Sequence, residues 1–272
     1  RGAMGVVYEA WDDDLQRTVA VKLISRAIEA GETEHRFRRE ALALAKLAHP
    51  NVVTVHEVGL HDGRLFIAME LVRGATLDVW LRAEPRTWQT TLDVFIQAGR
   101  GLEAAHTAGL VHRDFKPSNC IVGDSGRVRV LDFGLARGIA DLLDEDIAAT
   151  FPPASSLDVS VTRTGATVGT PAYMAPEQPR GGDISASSDQ FSFCVALYEA
   201  LEGVRPFAGT CIVDIHGNIE AGNIQPGTGR TPTEVLRIIE RGFSVASTER
   251  WPTLGSLVDA LEAVPSRRAR RR

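Results

Sequence analysis

The apolar residues change their period once, near residue 72, and that change restricts the architecture more than any single motif. Before it, Met4–Trp11 and Thr18–Ile24 are rich in Val, Ala and Ile on either side of Asp12-Asp13-Asp14, which reads as a β-hairpin. Val52–Gly59 and Leu65–Leu71 read as two more strands joined by a turn at His61-Asp62-Gly63. Between the two pairs, Glu32–Leu47 carries Phe37, Ala41 and Leu44 (and Ala48 beyond it) at the spacing of one helix face. His49-Pro50-Asn51 closes that helix, because proline disfavours helix in the residue before it. After residue 72 the pattern is helical: Thr76–Ala83, Thr87–Ala108, Ala186–Glu202, Ile212–Ala221, Thr233–Gly242 and Leu254–Val264, interrupted by short strands at Cys120–Val122 and Val128–Leu131. Strands followed by helices predict an α+β chain in two parts, 1–72 and 73–264, with Val72-Arg73-Gly74 as the join. Residues 265–272, largely arginine, read as a basic tail or linker. Leu135–Val168 stands apart: it is polar, contains Pro and Ser, and is far longer than an ordinary connection, so it reads as a functional or disordered loop.

Bulk properties remove several function classes. A net charge of −5 gives no reason to expect nucleic acid as a partner. Cys120, Cys194 and Cys211 are odd in number and scattered, which argues against a disulfide framework and for a reducing compartment. Cys120 reads as a small buried hydrophobe. The seven histidines show no His-Glu-x-x-His spacing, so no zinc is expected. No apolar run reaches the roughly 18 residues that cross a bilayer, and no signal peptide is visible.

The chemistry concentrates in two short segments. His112-Arg113-Asp114-Phe115-Lys116-Pro117-Ser118-Asn119 supplies a carboxylate able to orient a hydroxyl, with a lysine two residues on. Asn119 and Asp132, the latter within Asp132-Phe133-Gly134, supply hard oxygen ligands of the kind Mg²⁺ prefers. Phosphoryl transfer needs such a set, because its catalysis is mostly positioning and charge neutralisation. These segments resemble the catalytic-loop and metal-binding signatures of protein kinases. Val19-Ala20-Val21-Lys22 looks like the family's lysine motif, and Gly169-Thr170-Pro171-Ala172-Tyr173-Met174-Ala175-Pro176-Glu177 like the end of an activation segment. The wording of the motifs is closest to bacterial Ser/Thr kinases of the eukaryotic-like type.

The resemblance implies a two-lobed, protein-kinase-like fold: a small β-rich N-lobe with one main helix, and a large helical C-lobe holding activation segment 132–177. It implies an enzyme that transfers the γ-phosphate of Mg-ATP to Ser/Thr hydroxyls of protein substrates. Asp114 would be the base and Lys116 would stabilise the transferring group. Lys22 would contact the α- and β-phosphates and pair with Glu40. Asn119 and Asp132 would hold Mg²⁺. Gly2, Gly5 and Val7 fit the second half of a glycine-rich loop over the phosphates. The family's earlier glycine and first strand would precede Arg1, so the chain reads as truncated within that loop. Adenine would lie against Ala20 and a hinge of Glu70-Leu71-Val72, bordered by Met69. His112 would pack near Phe133, Asp189 would bond the catalytic-loop backbone, and Glu177 would pair with Arg250. Arg113 precedes the base and would receive a phosphate on the activation loop, where Ser160, Thr162, Thr164 and Thr167 lie and Thr164 and Thr167 are favoured. Expected partners are protein substrates and a second copy of the chain for autophosphorylation. The expected location is cytoplasmic, with any membrane attachment through segments outside this sequence; the arginine-rich end suits the cytoplasmic flank of such a segment.

Overall fold

The computed structural model describes residues 5–27, 45–61, 64–133, 171–179 and 184–269. Within these the chain forms two compact units, one from residues 5–46 and 54–71 and the other from 47–53, 72–133 and 171–269.

The first unit is a four-stranded antiparallel sheet of β1 (Gly5–Asp12), β2 (Arg17–Ala27), β3 (Val55–His61) and β4 (Arg64–Glu70), in the order β1-β2-β4-β3. The β1–β2 turn closes on its own acid: Asp12 Oδ1 accepts the Leu15 N–H at 3.0 Å, and Oδ2 pairs with Arg17 at 3.3 Å. An aspartate that captures backbone donors in this way is a turn former. β2 lies inside the sheet, and Val19, Ala20 and Lys22 on it are all buried. Lys22 faces Val7 of β1 and Ile67 of β4 in register.

The second unit carries a three-stranded sheet, β5 (Gly74–Thr76), β6 (Cys120–Gly123) and β7 (Val128–Val130), and six α-helices among the described residues. They are α1 (Leu77–Ala83), α2 (Trp88–Thr107), α3 (Ala186–Glu202), α4 (Ile212–Glu220), α5 (Thr233–Gly242) and α6 (Leu254–Ala269). Helix α3 is the centre of this unit: every residue from Ser188 to Tyr198 is buried, the apolar ones in the core and Ser188, Asp189, Gln190 and Ser192 through hydrogen bonds. Phe193 of α3 packs edge-on to Phe95 of α2, with ring centroids 5.8 Å apart, and lies 5.7 Å from Phe115. Each such ring contributes about 1.5–3 kcal/mol through burial alone. A second aromatic group, Phe191, Phe207, Phe243 and Tyr198, packs α3 against the loop that follows it and the end of α5.

Among the boundaries that differ from the sequence reading, three bear on the fold. Val52 and Val53 do not begin β3. Both are buried, and Val53 N–H donates to the Val130 carbonyl at 3.0 Å, so they join β7 in the second unit. Gly74 is part of β5 rather than a linker. A Cβ there would stand 2.2 Å from the Val122 carbonyl oxygen, so only glycine permits this strand pairing. Finally, α6 runs through Pro265 to Ala269, into the segment read as a tail; alanine and arginine are strong helix formers and extend it. The helix expected at 32–47 falls largely outside the described residues.

Gly101 lets α2 approach the Asn51 turn closely: a Cβ there would sit 2.4 Å from the Asn51 carbonyl oxygen. Gly101→Ala should destabilise the protein by about 1–3 kcal/mol through overpacking, read as a lower urea midpoint with unchanged slope.

Candidate active site

The 112–119 loop is held from below by one buried carboxylate. Asp189, in the first turn of α3 and 1% exposed, accepts the His112 N–H on Oδ2 at 2.6 Å and the Arg113 N–H on Oδ1 at 2.8 Å. His106, at the end of α2, donates from Nε2 to the same Oδ2 at 2.8 Å. Arg113 adopts φ 67°, a left-handed conformation that disfavours a long side chain, and so does Asp132 at φ 54°. Such residues cost on the order of 1–3 kcal/mol and survive only where the surroundings hold them.

His112 ties the two chemical segments together. It is fully buried, between Phe115 at 5.8 Å and Phe133 at 4.9 Å. Nε2 donates to the Leu131 carbonyl at 2.8 Å, and Nδ1 faces the Asp114 N–H at 3.4 Å, so the partners fix the tautomer. Leu131 N–H in turn donates to the Asn119 carbonyl at 2.8 Å. Both peptide groups of Leu131 are therefore anchored, and Asp132 follows directly.

Around Asp114 the side chains converge. Lys116 Nζ lies 2.7 Å from Asp114 Oδ2, in a half-buried pair. Asn119, within a 3-10 turn at Pro117–Asn119, donates from Nδ2 to the Asp114 carbonyl at 2.8 Å and approaches Oδ2 at 3.5 Å. Because Nδ2 faces Asp114, the amide oxygen of Asn119 remains for another ligand. Among the described residues no group of three or more His, Cys, Asp or Glu forms a metal cage. An amide oxygen and the Asp132 carboxylate instead suit Mg²⁺, which binds through few protein oxygens and completes its shell with phosphate and water.

A second ionic centre holds the end of the Gly169–Glu177 motif. Arg250, whose side chain is fully buried, grips Glu177 with two parallel bonds of 2.8 and 2.9 Å. Its remaining donors reach the carbonyls of Ser187, Ser244 and Val245. Ser188 Oγ also donates to Glu177 at 2.8 Å. Burial alone would raise the Glu177 carboxyl, but the Arg250 and Ser188 bonds outweigh it and hold the group below its ordinary range. Tyr173 in the same motif donates to Glu199 at 2.6 Å. Burial first, then that acid, pushes the Tyr173 hydroxyl well up.

Most of the other expected site residues fall in the first unit or outside the described residues. Gly5 and Val7 lie on β1, Ala20 and Lys22 on β2 and Glu70 at the end of β4; Val72 begins the second unit. Gly2, Glu40, Thr164 and Thr167 lie outside the described residues. Sequence reasoning missed His106 and Gln178, which reach Asp189 and the Arg113 carbonyl. Their only signal was proximity in sequence to His112 and Glu177.

Comparison with known proteins fits this arrangement. The family model described as "Protein kinase domain" matches residues 1–251. The chain belongs to the protein kinase domain family. It is 37% identical over 270 residues to serine/threonine-protein kinase PknA of Mycobacterium tuberculosis, covering 97% of this chain and 59% of that protein. It is 33% identical over 267 residues to PknE of Mycobacterium bovis, covering 97% of this chain and 44% of that one. The chain thus spans roughly half the length of these relatives. The crystal structure of the Mycobacterium tuberculosis PknI kinase domain matches with a TM-score of 0.70 at 24% identity, covering 97% of this chain and 92% of that one. The fold is therefore the kinase fold, with an antiparallel N-lobe sheet and a helical C-lobe. Protein kinases use ATP and Mg²⁺ and act on protein substrates. No helix among the described residues is long and apolar enough to cross a membrane.

The Glu177 shift carries a pH signature. Its folded pKa lies below its ordinary value of 4.5, so its stabilisation is complete above that pH and drains away as pH falls through the folded value. Urea unfolding of wild type and Glu177→Gln should differ most at neutral pH and converge below the carboxylate range.

Proposed function

We propose that the chain is an active Ser/Thr protein kinase domain that moves the γ-phosphate of ATP to a protein hydroxyl. The observation that carries this reading is the convergence on Asp114: Lys116 at 2.7 Å from its carboxylate and Asn119 bonded to its carbonyl at 2.8 Å. Asp114 orients the substrate hydroxyl and takes its proton, as a positioned base does. Lys116 shares the Asp114 carboxylate and stabilises the transferring phosphoryl group, and a lysine at that position resembles Ser/Thr rather than Tyr kinases. Lys22 is the phosphate-binding lysine, paired with Glu40, and Gly2, Gly5 and Val7 cover the phosphates. Ala20, Glu70 and Val72 border adenine. Asn119 and Asp132 present the oxygens for the metal. Held there by these two residues, Mg²⁺ would supply positive charge that offsets the charge of the nucleotide phosphates. In this reading residues 1–72 and 73–264 are the two kinase lobes and 265–272 lead out of the domain.

Regulation follows the same chemistry. Arg113 is the receiver for a phosphate on Thr164 or Thr167, added by a second copy of the chain, and the domain works in the cytoplasm. The names of PknA and PknE as serine/threonine-protein kinases support the choice of hydroxyl.

Labelled ATP, Mg²⁺ and a generic protein substrate test the activity. Asp114→Asn should lower incorporation by about 10²–10⁴-fold with an unchanged thermal midpoint; equal incorporation by both proteins would sink the reading. After incubation with ATP, phosphopeptide mapping should find label within residues 155–170, and label solely elsewhere would remove the regulatory part.

A further inference from the structure

The peptide between Arg113 and Asp114 aims the proposed base, yet its own N–H is poorly held. Among the described residues that N–H reaches only His112 Nδ1, at 3.4 Å, beyond the usual range of a strong hydrogen bond. Its carbonyl end is better placed: Gln178 Nε2 donates to the Arg113 oxygen at 3.2 Å. Gln178 Oε1 meanwhile accepts the Ala175 N–H at 2.8 Å. A backbone N–H only donates and a backbone carbonyl only accepts, so these partners fix which way round the amide stands. The side chain is thus a two-ended strut between the Ala175-Pro176-Glu177 segment and the residue before the base. It acts at a strained point of the backbone, since Arg113 has φ 67°. Asp189 holds the N–H side of Arg113 and Gln178 its carbonyl side.

We infer that Gln178 is a positioning residue for phosphoryl transfer, clamping the Arg113–Asp114 peptide so that the Asp114 carboxylate keeps its aim. The inference rests on the kinase reading above and names a residue that touches neither nucleotide nor metal. Gln178→Glu is the discriminating change. It is nearly isosteric and still accepts from Ala175, but presents a carboxylate oxygen to the Arg113 carbonyl. Gln178→Met removes both ends.

Two measurements on the whole chain test it. In the first, both variants should lose kcat on the order of tenfold, as a small misplacement of a reacting group does. KM for ATP should stay within about twofold, because the nucleotide contacts are elsewhere. Wild-type kcat in Gln178→Glu would overturn the inference, since the Ala175 bond alone would then suffice. The second does not depend on activity. Arg113-Asp114 is the only Arg-Asp pair in the sequence, so carbonyl-¹³C arginine with ¹⁵N aspartate gives one HNCO peak, from this peptide. That peak should move in Gln178→Glu, with other labelled aspartate amides in place; an unmoved peak overturns the inference. A wild-type chain that transfers no phosphate, with the peak still moved in Gln178→Glu, would instead count against the kinase reading.

Discussion

A carboxylate with three donors, sealed from water at the start of a buried helix, governs the shape of the 112–119 loop. Asp189 is 1% exposed and serves His112 N, Arg113 N and His106 Nε2. Magnitudes explain why it prevails. A left-handed arginine costs on the order of 1–2 kcal/mol. Hydrogen bonds to a charged acceptor contribute about 1.5–3 kcal/mol each, and leaving these donors buried without one would add a desolvation penalty. The strained turn is therefore the low-energy state of the loop, and Asp114 inherits its direction from a helix packed on all sides.

The same economy extends to the second chemical segment. Leu131 lends its N–H to Asn119 and its carbonyl to His112. Asn119 in turn spends its Nδ2 on Asp114. Each side chain that orients a neighbour is itself oriented by a third group, so the oxygens of Asn119 and Asp132 and the carboxylate of Asp114 are fixed relative to one framework. Lys116 partly neutralises that concentration of acid at 2.7 Å.

Much of this was legible in the sequence, and the omissions have a common cause. Period alone found the hairpin and the limits of Ala186–Glu202 and Thr233–Gly242, because those segments carry strong local patterns. It extended β3 back to Val52, because two buried valines look alike whether they pair with β4 or with β7; only the non-local bond from Val53 to Val130 distinguishes them. Gly74 looked like a linker because the carbonyl of Val122 that excludes a Cβ lies far away in sequence. Asp189 and the Glu177–Arg250 pair were reached by resemblance, not by pattern. Gln178 and His106 escaped because a polar side chain announces nothing in the sequence until its partner, distant along the chain, is known.

Neighbouring residues of one helical turn divide the labour. Ser188 and Asp189 are successive, so their side chains leave α3 about 100° apart. Ser188 reaches Glu177 and thereby Arg250; Asp189 reaches the loop that carries Asp114. Ser188 Oγ also accepts the Ser185 N–H at 3.2 Å, completing the helix cap. The turn sits at the positive end of the helix dipole, where an acid such as Asp189 is favoured. The guanidinium of Arg250 suits the other branch. Its planar fork meets both Glu177 oxygens and still reaches three carbonyls, which the three donors of a lysine could not match. A buried ion pair is stabilising only when its remaining donors are satisfied, and here they are. The beginning of α3 thus registers the Ala175–Glu177 segment against the 112–119 loop through fixed hydrogen bonds rather than through apolar packing, which would tolerate slippage.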